Sequence, residues 1–315
     1  MAVHSEVLLR PAVRPRATGV RRALRDMRKQ WTAYLFLAPG LILFLVFVVF
    51  SVVYAFYLSF HKWNILEPDK PYVGLDNYHR LLHDDRFRQS IVNTIYYTVT
   101  TVPLSVGLGL LIALLLNQQI RAVGLFRTLF YIPVITPLVI AAIIWKWVYQ
   151  GDFGLLNYYL LKLHVISEPL LWLSDKKLAM PAVVGMWVWK TVGFVMVVYL
   201  AGLQAIPQDY YDAAKVDGAG SFRRFRDITI PLLSSTTLFV VIIQFLGSFQ
   251  AFTQIFVMTS GGPVGRTTTI VYYIYTHAFK RFDMGYASAM AFAFFAMMFG
   301  VTLIQLRFLR RELDY

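Results

Sequence analysis

Two lysines interrupt otherwise apolar runs: Lys146, in Trp145-Lys146-Trp147, and Lys190, which follows Trp187 and Trp189. A charge at the centre of a bilayer costs at least about 2.5–3.5 kcal/mol, so each requires a reason. Lys146 lies near the end of its run between two indoles, where its stem can snorkel to the interface. Lys190 has long apolar flanks on both sides. It therefore has to face a bundle interior or a wet cavity, and is a candidate for the lining of a translocation path. Further along, Gln244, Ser248 and Ala251 recur at i, i+4, i+7, and Gln250 and Gln254 form an adjacent i, i+4 pair. Such amides and hydroxyls either meet a hydroxylated ligand or join packed membrane helices.

Other chemistries lack their residues. The six histidines stand at 4, 61, 79, 83, 164 and 277, outside the interiors of the apolar runs, as do all Asp and Glu. A proton relay or an intramembrane acid–base enzyme would need such groups there. His79 and His83 are spaced i, i+4 but have no third metal ligand, so no metal site is expected. Gly261-Gly262-Pro263-Val264-Gly265-Arg266-Thr267 has the glycines of a phosphate loop without its lysine, and reads as a turn. No nucleotide site is expected in this chain. Zero cysteines exclude disulfides, thiolate metal sites and a Cys nucleophile.

The elements that must position these residues are membrane helices. Of 315 residues, 58% are hydrophobic and 15% charged, with mean hydropathy +0.57. Soluble domains average about 45–50% apolar and roughly 25% charged. Residues 30–60, 89–120, 228–265 and 284–306 contain no charge at all, and about 20 apolar residues suffice to cross a bilayer. A soluble enzyme and a transmembrane β-barrel are thereby excluded. The patterning predicts six transmembrane helices, over 32–60, 90–116, 126–149, 178–203, 232–258 and 285–308. The apolar run after the basic N-terminus is too long for a secretory signal and reads as a retained first helix. Of the 30 Lys and Arg, 17 fall on the side of the termini and 11 on the other, which predicts cytoplasmic N- and C-termini. The net charge of +13 is thus a topology signal, not a nucleic-acid surface. The expected organisation is a basic cytoplasmic tail over 1–31, a six-helix membrane domain over 32–308 and a short cytoplasmic tail over 309–315.

One cytoplasmic connection stands out. Segment 204–231 has helical composition, with Pro207 suited to open a helix. Asp209, Asp212 and Asp217 come first, and Arg223, Arg224 and Arg226 later. Gly218 and Gly220 between them predict two short helices around a sharp turn, the second presenting Phe222 and Phe225 beside basic residues. Aromatics exposed in this way suit a docking surface. Asp212-Ala213-Ala214, then Gly218, then Ile228-Thr229-Ile230-Pro231 resembles the EAA loop of ABC importer permeases, with Asp212 in place of Glu and Ile230 in place of Leu. The resemblance continues along the chain. Phe36-Leu37-Ala38-Pro39-Gly40, Tyr72-Val73-Gly74-Leu75-Asp76-Asn77-Tyr78, Asn93-Thr94 and Thr259-Ser260-Gly261-Gly262-Pro263 with Thr267-Thr268-Thr269 are similar to the carbohydrate-importer permeases, in particular the first permease subunit of maltose and glycerol-3-phosphate importers.

The resemblance implies an all-α polytopic fold of the type I importer bundle in a bacterial or archaeal plasma membrane. It implies no enzymatic activity in this chain, with ATP and Mg on two partner ATP-binding subunits. Asp212, Ala213, Ala214, Gly218, Ile228 and Pro231 would form the coupling surface for those subunits. A second homologous permease would complete a heterodimer, and an extracytoplasmic solute-binding protein would deliver a sugar or polyol. Lys190, Thr191, Phe194, Gln244, Gly247, Ser248 and Ala251 match the family's substrate path, although Lys190 replaces an apolar residue and Gly247 an aromatic one. The alternatives are the same architecture for glycerol phosphate or another anion, with Lys190 as counter-charge, or a secondary carrier without an ATPase.

Overall fold

The structure, a computed structural model, describes residues 31–118 and 121–309. Most of both expected tails lies outside that range. The chain divides into two compact units, Met1–Ala55 and Phe56–Tyr315. The described part of the first unit belongs to helix α1, which runs Trp31–Phe44, passes through a π-helical turn at Leu45–Val49, and resumes as Phe50–Ser59. It is apolar on all sides, and its stretch Leu35–Ser59 is long enough to span.

The second unit continues with α2 (Asp76–Leu82), α3 (Asp85–Leu116), α4 (Val123–Ile135), α5 (Leu138–Val148), α6 (Leu155–Lys162) and α7 (Ala179–Gln204). There follow α8 (Gln208–Val216), α9 (Ser221–Leu232, with a π-helical turn at Phe225–Thr229), α10 (Ser234–Phe249), α11 (Thr253–Met258), α12 (Ile270–Tyr275, continued by a π-helical turn at Thr276–Lys280) and α13 (Met284–Leu309). Among the described residues, strand pairing is confined to two isolated bridges, His61 with Tyr72 and Asn64 with Asp283.

Helix α3 starts where Asp84 caps it, accepting from the backbone N–H of Arg86 at 2.9 Å and of Phe87 at 3.1 Å. It packs along α7, the most buried of the spanning helices. Lipid is as apolar as leucine, so close packing must join these helices. Small residues permit it. Gly109 on α3 lies against Val195 so tightly that a Cβ would overlap its side chain, and Gly193 on α7 abuts the Phe130 carbonyl of α4 in the same way. Tyr199 then donates its hydroxyl to Thr237 Oγ1 at 3.2 Å, tying α7 to α10.

Four of the six expected spans are continuous: Leu35–Ser59, Asp85–Leu116, Ala179–Gln204 and Met284–Gln305. The other two are broken. The third bends by 100° between Val123–Ile135 and Leu138–Val148, and Pro137, which cannot donate a hydrogen bond back into α4, stands at the break. The fifth follows a 65° bend between α9 and α10 and stops at Phe249, with residues 250–252 separating α10 from α11, so the expected run over 232–258 is divided. Thr269 Oγ1 donates to the Ala251 carbonyl at 2.6 Å within this interruption.

Candidate functional site

The segment following α7 carries the first group of candidate residues. Only residues 205–207 separate α7 from α8, so the two helices are closely joined. Pro207 immediately precedes α8, Asp209 lies in its first turn and Lys215 in its last, as the helix dipole favours. The helix ends in a Schellman motif: Ala219 N–H bonds the Ala214 carbonyl at 2.8 Å and Gly218 N–H the Lys215 carbonyl at 3.0 Å. Gly218 adopts φ +75°, and the space where a Cβ would stand is open. The requirement for glycine within this chain is therefore the left-handed backbone of the sharp turn, and not close contact with other parts of the chain.

Asp212, Ala213, Gly218 and Pro231 are exposed, whereas Ala214 and Ile228 are half-buried. Lys215 donates to Asp212 Oδ1 at 2.7 Å. That bond, and a weaker one from Gln208, hold the Asp212 carboxyl below its usual range. Phe222 is 75% exposed beside Arg223. Phe225 differs from expectation, being half-buried in the π-helical turn. Val216 at 88% and Tyr210 at 54% exposure complete an apolar, basic-edged surface that sequence reading left out for Tyr210 and Val216.

The second group lies between α3, α7 and α10. Gln244, Ser248 and Ala251 are buried within the chain, and Lys190, Thr191, Phe194 and Gly247 are half-buried. Ser248 Oγ donates to the Phe245 carbonyl at 3.1 Å. Thr191 Oγ1 donates to the Trp187 carbonyl at 3.0 Å and meets Ser105 Oγ at 3.2 Å. Phe194 packs against the apolar cluster that contains Val195, Met196 and Tyr199. Lys190 Nζ donates to the carbonyls of Pro133 and Val134, both at 2.8 Å.

Trp187 is the residue that sequence reading passed over. Its indole carbon lies 3.3 Å from where a Cβ of Gly247 would be, so α7 fills the space that an aromatic at 247 would take. Its Nε1 is buried and has no hydrogen-bond partner among the described residues. The usable signal was the pairing of a glycine on one helix with an extra tryptophan on another.

A third feature lies at the other end of α3. Tyr273 and Tyr286 donate to Asp84 Oδ2 at 2.8 and 2.7 Å. Burial pushes the Asp84 carboxyl up, but these two bonds and those from Phe87 and Arg86 together hold it below the usual range. Arg86 and Arg281 flank the pair and line a cavity of about 420 Å³ with Gln89, Ser260, Thr268 and Thr276. Buried His277 bonds Arg281 at 3.1 Å through Nε2.

Comparison with known proteins places the chain. Residues 82–313 match the binding-protein-dependent transport system inner membrane component family, and the chain belongs to that family. The trehalose/maltose transport system permease protein MalF of Thermococcus litoralis is 37% identical over 280 residues, 89% of this chain and 94% of that protein. The sn-glycerol-3-phosphate transport system permease protein UgpA of Agrobacterium fabrum is 31% identical over 283 residues, 90% and 96% of the two chains. A bacterial ABC transporter involved in the import of the acidic polysaccharide alginate shares the fold, with TM-score 0.81 at 22% identity over 93% of this chain and 100% of its own. The chain is thus an inner-membrane permease of the ABC importer class, as its motifs imply.

Proposed function

We propose that this chain is one permease half of an ATP-driven importer for a sugar or related polyol, paired with a second, homologous permease. Both termini are cytoplasmic in this reading, consistent with the density of Lys and Arg on that side. Two ATP-binding subunits, which hold ATP and Mg, dock on segment 204–231. An extracytoplasmic binding protein delivers the substrate to the opposite face, where Arg86 and Arg281 line an open cavity. Closure of the ATPases moves α8, and α7 follows because only residues 205–207 intervene. This exposed helix, closed by the left-handed Gly218 turn, is the observation that carries the reading.

The substrate path in this reading is lined by Trp187, Thr191, Gln244, Gly247 and Ser248, with the unpartnered Trp187 Nε1 as a donor for a ligand hydroxyl. The substrate in this reading is a neutral polyol rather than an anion, with the Lys190 ammonium turned to the Pro133 and Val134 carbonyls. MalF and UgpA stand on opposite sides of that choice. The test is uptake into proteoliposomes containing both permeases, with and without ATP, ATPase subunits and binding protein. Uptake that needs all of them supports the importer. Uptake from the permeases alone would make the chain a secondary carrier.

A further inference from the structure

Pro137 has no N–H, so the Pro133 carbonyl, four residues earlier, cannot receive the usual intrahelical bond. Leu138 begins α5 on an axis turned by 100°, so the Val134 carbonyl loses its intrahelical partner as well. In hydrocarbon there is no water to replace either bond. The Ile132 carbonyl is served by Thr136, through its N–H at 3.3 Å and its hydroxyl at 3.0 Å. The Pro133 and Val134 carbonyls both receive Lys190 Nζ, at 2.8 Å each. The ammonium thus sits at the negative end of the α4 dipole, which accounts for a charge at this depth. Gly193, one turn along α7 from Lys190, brings the α4 backbone close enough for this reach.

We propose that Lys190 is a positioning residue that holds the broken third span in its bent form against α7, and that this bent form is needed to link substrate delivery to ATP hydrolysis. The link to ATP hydrolysis rests on the importer reading, whereas the attachment of the break does not. Lys190 meets no substrate in this role. Its ammonium makes α4 and α7 move as one body, and α7 passes that motion to α8.

A double-mutant cycle with Pro137 tests this, because Pro137→Ala returns a backbone N–H to the Pro133 carbonyl. The assembled complex, with ATPase subunits in lipid nanodiscs, is compared as wild type, Lys190→Met, Pro137→Ala and the double variant. Two quantities are read: Tm, and the ratio of ATP hydrolysis with and without the loaded binding protein. Lys190→Met should lower Tm and abolish the stimulation, and Pro137→Ala should recover much of the Tm in the Lys190→Met background without recovering the stimulation. An unchanged or raised Tm in Lys190→Met would overturn the proposal, as would a loss that Pro137→Ala leaves untouched. Recovery of both quantities in the double variant would show that the bend is dispensable and overturn the functional half. If the wild-type complex shows no stimulation, the importer reading fails while the Tm cycle still reports on Lys190.

Discussion

The hydroxyl of Thr94 accepts the backbone N–H of Ile270 at 3.0 Å, joining the second span to the first residue of α12. Its neighbour Asn93 donates to the carbonyls of Gly265 and Thr268, at 2.9 Å each. Asn93-Thr94 and the Thr259–Thr269 motifs, far apart in sequence, are thus two halves of one hydrogen-bonded clamp.

Asn93→Ala should therefore loosen the loop without unfolding the spans. It leaves two loop carbonyls without their donor, at a cost of about 1–3 kcal/mol. Protease cleavage within residues 261–269 should accelerate in the variant complex. Unchanged cleavage would show that the clamp does not hold the loop.

Gly218→Gln should insert and fold its helices yet lose association with the ATPase subunits and with it uptake. A left-handed L-residue costs about 1–2 kcal/mol, and the surrounding space is open. Gly218→Asn, better tolerated at such a position, should retain more association. Co-purification of the ATPase subunits with each variant separates the two, and equal retention by Gln and Asn would remove the backbone explanation.

Trp187→Phe removes the unpartnered Nε1 while keeping most of the ring. If the nitrogen serves a substrate hydroxyl, loss of a bond of about 1 kcal/mol should raise KM roughly fivefold, with Tm unchanged or higher. An unchanged KM at full expression would exclude Trp187 from the path.

His277 supplies a pH dependence. Burial, then the neighbouring Arg281, lowers its pKa from 6.5 to about 4, with Arg80 adding to this and Asp283 and Asp84 opposing it. The unfolded chain binds the proton first as pH falls. The contribution is complete above about pH 6.5 and is lost as pH falls through about 4. The Tm of the complex should decline across that window, and His277→Gln should flatten the decline. An equally steep decline in the variant would assign it to other groups.

The spans were legible because lipid demands long apolar runs: residues 32–60 and 285–308 became helices Trp31–Ser59 and Met284–Leu309 within a residue. The two-helix form of segment 204–231 was legible in its glycines. The break in the third span was not. Pro103 lies inside the unbroken α3, whereas Pro137 divides α4 from α5, and membrane helices tolerate proline when neighbours satisfy the freed groups. The partner at Pro137 is a side chain 57 residues from Pro133, which no local pattern discloses. From the sequence alone Lys190 therefore reads as a path residue or as the counter-charge of an anion. Its contacts assign it a third role, as donor to a helix end. Trp187 was missed for a related reason, since its meaning depends on Gly247 across a helix interface.

The divided third span also bears on how the chain is made. At about 1.5 Å per residue, the 13 residues of α4 and the 11 of α5 are roughly 20 and 17 Å long, and neither alone crosses a core of about 30 Å. During synthesis the break leaves the ribosome before the ammonium that satisfies it has been translated. Until α7 arrives, the nascent third span has either to straighten or to stay beside the insertion machinery with two bare carbonyls. Completed insertion of the third span should thus wait for the fourth, α7, with Lys190 closing the pair.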